Sequence, residues 1–170
     1  MARSDLDLVR AFFDSYNARD VEAMEEMLDP EVKITTLSAR AGLAARWEGR
    51  ASTRRYFEQL DESWAELRIE IQEYREVGPC VIAIGVIRGI GKASQAEVVE
   101  RFATVSVVRN SLLVRVETYS DPDAALAAAE TLPARAHAPA VREEVSPTRA
   151  PRSGRPGGAG RGSGRAGWGC

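Results

Sequence analysis

Three dense runs of β-branched and other apolar residues lie between residues 81 and 119. They read VIAIGVIRGIG, EVVERFATVSVV and LLVRVETY, and the short segments GKASQ and RNS separate them with turn-forming residues. This pattern predicts a long antiparallel meander. Because a sheet with one buried face needs a second layer to close its core, the amphipathic helices predicted before the meander are expected to cover it.

Residues 5 to 28 carry two helical patterns in succession. Apolar side chains recur three and four residues apart in the first, at Leu6, Val9, Phe12, Phe13 and Tyr16. Asp20 is a good N-cap for a second, shorter helix, whose inner face consists of Val21, Met24, Met27 and Leu28. Asp29-Pro30 is predicted to end this helix.

The remaining elements follow from changes of period along the chain. Residues 31–36 predict a first strand, and residues 37–46 a loop or lid. A third helix follows Trp47, with an aromatic and aliphatic stripe at Tyr56, Phe57, Leu60 and Trp64. Leu67, Ile69 and Ile71 alternate with polar residues and predict a strand that Gly78-Pro79 turns into the meander. Asp121-Pro122 opens a last helix, which runs to about residue 132.

The composition changes abruptly at Pro133. Residues 133–170 hold 8 of the 14 glycines, 5 of the 8 prolines and seven arginines against two glutamates. Such a segment has little apolar surface to offset the entropy of ordering it, so we predict one domain over residues 1–132 and a disordered basic tail over 133–170. Nucleic acid is expected to bind only through this tail, if at all; the alternative is a solubilising extension.

The inventory of reactive residues argues against several classes of protein. The two cysteines, Cys80 and Cys170, form a poor disulfide framework, and the sole histidine, His137, lies in the tail. Neither a metal site nor a cofactor is predicted. The chain has no run of 18 apolar residues and no apolar N-terminal segment, so we expect a soluble cytoplasmic protein without membrane contact.

Four strings carry a resemblance to a known family. They are LVRAFFDSYNARDVEAMEEMLDPEV at 8–32, WEGRASTRRYFEQL at 47–60, ESWAELRIEIQEYREVG at 62–78 and VRVETYSDPDAALAAAE at 114–130. Over about residues 5–132 the chain resembles the SnoaL-like group of the nuclear transport factor 2-like superfamily, which includes ketosteroid isomerases and polyketide cyclases. The resemblance implies a cone-shaped α+β barrel, in which a curved, mostly antiparallel sheet wraps around three N-terminal helices and a short C-terminal helix follows. It also implies a pocket at the wide end and a homodimer packed through the sheet.

The chain departs from the catalytic pattern of ketosteroid isomerases. Those enzymes use a tyrosine in the first helix, a carboxylate after the first strand and a second acid in a late strand. Phe12, Thr35-Thr36 and the segment 103–106 (ATVS) stand there in this chain. Threonine and phenylalanine have no group with a suitable pKa for a proton shuttle, which argues against isomerisation by that route. Polyketide cyclases rely on an acid near the last strand, for which Asp121 and Glu117 are the local candidates.

Three residues are weak catalytic candidates, and each has a structural alternative. Asp121 precedes Pro122 at a helix start, where capping explains it. The hydroxyl of Tyr16 can donate to a ligand or to a local partner. Arg101 shares a strand face with Val99 and Val105, so its guanidinium must reach a pocket or pair with Glu73, Glu97 or Glu117. An active site built from them requires Arg101, Tyr16 and Thr36 to converge on one cavity.

The leading hypothesis is a pocket protein that binds a small apolar or polycyclic molecule, with cyclase, isomerase or hydrolase activity as options. The ligand-binding residues predicted for it are Phe12, Tyr16, Thr36, Trp47, Phe57, Trp64, Arg101 and Tyr119. An aromatic stripe is also a common core feature. The alternative is a non-catalytic dimeric ligand-binding or interaction module with a vestigial or filled pocket.

Overall fold

The computed structural model describes residues 4–37 and 44–132, which form four helices and six strands in those ranges. The helices are α1 (Asp5–Ala18), α2 (Val21–Met27), α3 (Ser52–Ser63) and α4 (Pro122–Thr131). The strands are β1 (Leu28–Thr35), β2 (Arg46–Glu48), β3 (Trp64–Val77), β4 (Cys80–Gly91), β5 (Glu97–Arg109) and β6 (Leu112–Tyr119).

The strands of the described ranges form one curved sheet in the order β2-β1-β6-β5-β4-β3. Each neighbouring pair is antiparallel except β1 and β6, which run parallel. The predicted meander is the β4-β5-β6 part of this sheet. The cone-shaped α+β class is therefore confirmed, with a mostly antiparallel sheet around α1, α2 and α3 and a short C-terminal helix.

The concave face of the sheet packs against the three N-terminal helices. Val9 of α1, Leu28 at the start of β1 and Phe102 of β5 are almost completely buried in this core. The predicted helix starts are confirmed, since the side chain of Asp20 accepts a hydrogen bond from the Ala23 amide and that of Asp121 from the Asp123 amide. These caps and the apolar stripes fix where each helix lies on the sheet.

The convex face of the sheet has a second core, which α4 covers. Ala125 and Ala129 of α4 are fully buried against Ile82 of β4 and Val105 of β5. Small alanine side chains let the helix approach the strands closely. Both faces of β4 and β5 are consequently buried where α4 lies, which explains why these strands read as nearly continuous apolar runs.

Three element boundaries differ from the predicted ones. Strand β1 begins at Leu28, so Asp29 and Pro30 lie within it, at the irregular stretch where its register with β6 shifts. Strand β2, with only three residues, was not predicted. Trp64 does not continue the stripe of α3, because its backbone is already extended (φ −116°, ψ 130°) and it begins β3.

Strand β3 lies at one edge of the sheet and is held there by the end of α1. The side-chain amide of Asn17 donates to the Ile69 carbonyl at 2.7 Å, and its oxygen accepts from the Ile69 amide at 2.9 Å. The register of β3 with β4 shifts between Ile71 and Glu73, opposite Gly85. The shift marks a β-bulge, which bends the strand and adds to the curvature of the sheet.

Two predictions fall on other parts of the chain. The predicted lid over 37–46 lies largely outside the described residues, since 38–43 are not among them, and so does the predicted disordered tail at 133–170. In the described ranges, every helix is too short or too polar to cross a membrane.

Candidate functional site

A cavity of about 310 Å³ lies between the concave face of the sheet and helices α1, α2 and α3. Its aromatic lining consists of Phe12, Phe13, Tyr16, Trp47, Tyr56, Trp64 and Phe102. Its aliphatic lining consists of Met24, Ile34, Leu37, Leu60, Leu67, Ile69, Ile87, Val98 and Val116. The polar side chains along the described wall are Thr36, Ser52, Thr53, Glu100, Thr104 and Thr118. The wall is thus apolar with a few separate polar groups.

Aromatic rings from three elements contact one another along this wall. The hydroxyl oxygens of Tyr16 on α1 and Tyr56 on α3 are hydrogen-bonded at 3.2 Å. The ring of Tyr56 meets that of Trp47 edge-on, with centroids 5.3 Å apart. The indole Nε1 of Trp47 donates to the Ala44 carbonyl at 3.0 Å, so its polar edge already has a partner. The rings therefore present mainly apolar surface to the cavity.

Burial determines the protonation state of Tyr16, whose side chain is only 6% exposed. Removal from water raises the pKa of Tyr16 well above its usual value of 10.0, and the neighbouring Tyr56 raises it further, while Arg19 opposes the change. A phenol is already neutral near pH 7, and this shift keeps Tyr16 neutral further into the alkaline range. It can exchange hydrogen bonds with a ligand but is not a base.

The burial of Tyr16 predicts that the folded protein loses stability at alkaline pH. The folded pKa exceeds the unfolded value, so the stabilisation is complete below about pH 10 and is lost as the pH rises above it. We expect Tyr16 to contribute a fall in the free energy of unfolding between neutral pH and about pH 11, and this contribution to be absent from Tyr16→Phe. Urea unfolding of wild type and Tyr16→Phe at both pH values measures this. Equal losses in the two proteins would contradict it.

Five of the predicted ligand-binding residues line the cavity: Phe12, Tyr16, Thr36, Trp47 and Trp64. Two others lie elsewhere. Phe57 is buried behind the wall, with its ring centroid 5.1 Å from that of Tyr16. Tyr119 packs with the convex core under α4, and its hydroxyl donates to Glu117 at 2.8 Å. The sequence places Phe57 on a helix stripe and Tyr119 at a strand end. Such positions do not reveal whether a side chain lines a cavity or packs behind its wall.

The prediction that Arg101 faces the cavity is wrong. Arg101 does share a face of β5 with Val99 and Val105, but this is the convex face, and Arg101 is exposed there. The inference failed because both faces of β5 are apolar: one covers the cavity and α4 covers the other. Arg101, Tyr16 and Thr36 thus do not converge on one cavity, and no active site of that composition forms.

Asp121 likewise has a structural role and does not line the cavity. Its side chain caps α4, as described above, and Pro122 occupies the first turn of that helix. Of the glutamates predicted as partners for Arg101, Glu73 pairs with Arg75 and Glu117 with Arg115. The cyclase-like acid expected near the last strand is therefore engaged on the convex side.

Sequence reasoning missed five of the six polar residues of the described wall, namely Ser52, Thr53, Glu100, Thr104 and Thr118. Glu100 lines the cavity together with Phe102 and Thr104, on the concave face of β5. Thr53 precedes Tyr56 and Leu60 by three and seven residues, so the helical period of α3 contains the signal that places it inward. The signal for Thr104 is a polar residue inside an apolar strand. Both patterns are weaker signals than the larger aromatic side chains beside them.

Residues 4–37 and 44–132 contain no group of three or more His, Cys, Asp or Glu side chains that could hold a metal ion. Cys80 is buried in the convex core, and desolvation raises the pKa of its thiol. A thiol with a raised pKa is a poor nucleophile. The chemistry of the described wall is thus that of hydroxyl groups and the single carboxylate of Glu100.

Residues 9–116 match the family model of the SnoaL-like domain, from the first helix into the last strand. The chain belongs to the SnoaL-like domain family. As a SnoaL-like domain it shares the NTF2-like fold, which also includes proteins described as ketosteroid isomerase-like and as polyketide cyclases. No curated protein sequence matches the chain at a significant level.

Solved structures similar to this SnoaL-like domain include three with different descriptions. An NTF2-like protein of unknown function from Burkholderia pseudomallei has a TM-score of 0.62 and 21% identity, over 74% of this chain and 96% of that one. TerC, crystallised with polyporic acid, has a TM-score of 0.61 and 18% identity, over 74% and 98% of the two chains. A putative polyketide cyclase from Xanthomonas campestris has a TM-score of 0.55 and 20% identity, over 73% and 95%. At these identities the likeness establishes the fold.

Proposed function

We propose that this SnoaL-like domain binds a small, largely apolar molecule in the cavity between its helices and its sheet. The observation that carries the proposal is the cavity itself, about 310 Å³ with a wall of aromatic and aliphatic side chains and few polar groups. This volume is at the lower end of the range for small-molecule sites, which suits a ligand of one to three rings. Burial of such a ligand removes apolar surface of both the ligand and the cavity wall from water, which favours binding.

The relatives support ligand binding more than any particular reaction. TerC was crystallised with polyporic acid, and two similar structures are described as putative polyketide cyclases. Cyclisation, isomerisation or hydrolysis in this chain would need a proton-transfer group in the cavity. Of the predicted catalytic candidates, Tyr16 is too weak an acid for that role and Arg101 and Asp121 lie elsewhere, which leaves Glu100 as the single carboxylate of the described wall. Binding is therefore the function we propose, without a committed reaction.

The alternative function is a dimeric interaction module whose convex face meets a second copy. The observation in its favour is the part of this face beyond α4, where Val99 is 53% exposed beside the exposed Arg101. Helix α4 covers the part of this face around Ile82 and Val105, which reduces the area for a partner. This module predicts a dimer that dissociates on dilution and an absence of ligand binding. Sedimentation across a concentration series measures the first point.

Ligand binding is tested by thermal shift with a library of neutral compounds of one to three rings. A compound present at about 100 times its Kd should stabilise the folded state by about 2.7 kcal/mol and raise the Tm accordingly. The blocking variant is Val98→Trp, at a partly exposed position that lines the cavity. Its matched control is Val99→Trp, one residue further on and on the opposite face of β5.

We expect Val98→Trp to abolish the shifts and Val99→Trp to keep them. The absence of a shift in the wild type across the library would refute the binding function. Equal shifts in both variants would mean that the compounds bind outside the cavity.

A further inference from the structure

Thr53 and Thr104 each have a side-chain hydroxyl that is buried and makes no hydrogen bond within the described residues. Both residues are only 3% exposed. A buried hydroxyl without a partner costs free energy, because the hydrogen bonds it makes to water in the unfolded chain are lost. A valine has nearly the same shape and avoids this cost. Two such threonines in an apolar wall therefore call for a partner.

The two hydroxyls belong to opposite walls of the same cavity. Thr53 lies in the first turn of α3, on the stripe that continues through Tyr56 and Leu60, and all three line the cavity. Thr104 lies on the concave face of β5, two residues beyond Phe102 and directly opposite Thr118 of β6. One hydroxyl therefore comes from the helical layer and the other from the sheet.

Ser106 provides an internal comparison. It is fully buried on the same strand as Thr104, its hydroxyl also has no hydrogen-bond partner in the described ranges, and it does not line the cavity. A buried hydroxyl without a partner is thus not by itself a ligand contact. What distinguishes Thr53 and Thr104 is that their side chains line the cavity, so a rotation about χ1 can turn either hydroxyl toward a molecule bound there.

We propose that Thr53 and Thr104 hydrogen-bond two oxygen atoms of an uncharged ligand, one near the helices and one near the sheet. A threonine hydroxyl can donate to a carbonyl and accept from a hydroxyl, so both kinds of oxygen fit. An anionic ligand is disfavoured because burying its charge against a wall of mostly apolar side chains costs free energy that two hydroxyl groups do not offset. The inference rests on the proposed ligand binding and adds the class of ligand and the residues that select it.

The test uses one bicyclic skeleton with different numbers of oxygen atoms: tetralin with none, 1-tetralone with one, and 6-hydroxy-1-tetralone and 7-hydroxy-1-tetralone with two. Isothermal titration calorimetry gives the affinity of each for wild type, Thr53→Val, Thr104→Val and the control Ser106→Ala. Each hydrogen bond is worth up to about a tenfold change in affinity. We therefore expect a stepwise gain with each oxygen in the wild type.

We expect each valine variant to lose the gain in affinity that one of the two ligand oxygens provides, and to keep its affinity for tetralin. Ser106→Ala should match the wild type for all four compounds. The Tm of the ligand-free valine variants should be unchanged or higher, because they lose no hydrogen bond. Equal affinities for all four compounds in the wild type would overturn the inference and leave the proposed ligand binding intact, and this comparison does not depend on whether the variants fold. If no compound of the series or of the larger library binds, both proposals fail.

Discussion

Replacement of Gly85 by alanine is expected to lower the free energy of unfolding by about 3 kcal/mol, more than other single methyl additions in this sheet. A Cβ atom at Gly85 would lie 2.2 Å from the backbone oxygen of Glu70 and 3.0 Å from the Cα atom of Ile71. These are atoms of the neighbouring strand, at the bulge of β3. Since backbone atoms cannot rotate away as a side chain does, the strands must separate or the bulge must move.

The matched control for this prediction is Gly91→Ala on the same strand. There the new Cβ would lie 2.7 Å from the Oγ atom of Ser94, which a rotation about χ1 can move away with the loss of one exposed hydrogen bond from the Ala96 amide. We expect a loss of no more than about 1 kcal/mol for this variant. Urea unfolding with linear extrapolation measures both. Similar losses in the two variants would show that the approach of β3 at the bulge is not what requires glycine.

Replacement of Phe102 by alanine is expected to lower the free energy of unfolding by about 3–5 kcal/mol. Phe102 is 1% exposed and belongs both to the concave core and to the cavity wall. Its removal leaves a void that joins the existing cavity. The void is not filled by collapse, because β5 is held between β4 and β6 by hydrogen bonds on both sides.

The control for Phe102→Ala is Val99→Ala, three residues away on the exposed part of the convex face. This substitution should change the free energy of unfolding by less than about 0.5 kcal/mol. The same chemical unfolding experiment compares the two. A loss below about 1.5 kcal/mol for Phe102→Ala would mean that the ring contributes little beyond the surface of the cavity.

The sequence predicts the helices and the meander well because their signals are local. The N-caps at Asp20 and Asp121 and the stripe of α1 depend on neighbours within one or two turns, and the structure places them as predicted. The start of β3 at Trp64 was missed, because the apolar spacing of α3 continues through a residue whose backbone has become extended. Strand β2 was missed because three residues are too short for a period of two to be recognised.

The cavity wall is harder to predict because it depends on which of two buried faces meets the helices. Alternation in β5 correctly separates Arg101 from Phe102 but does not say which of them points inward. Only the position of α4, a contact between distant parts of the chain, decides it. For the same reason, the sequence does not show that Thr104 and Glu100 point into the cavity. Resemblance to the family predicted the fold but not these inward polar side chains.

The side chain of Asn17 attaches α1 to β3 and also blocks part of the exposed edge of the sheet. Strand β3 is 14 residues long and lies at the border of the sheet, where an unpaired backbone could template the addition of strands from other molecules. Asn17 occupies both backbone groups of Ile69, near the middle of that border, and the bulge beyond Ile71 breaks its regularity. Charged side chains at Glu66, Arg68 and Glu70 flank the blocked site. These features oppose the addition of a strand from another molecule at the middle of this border.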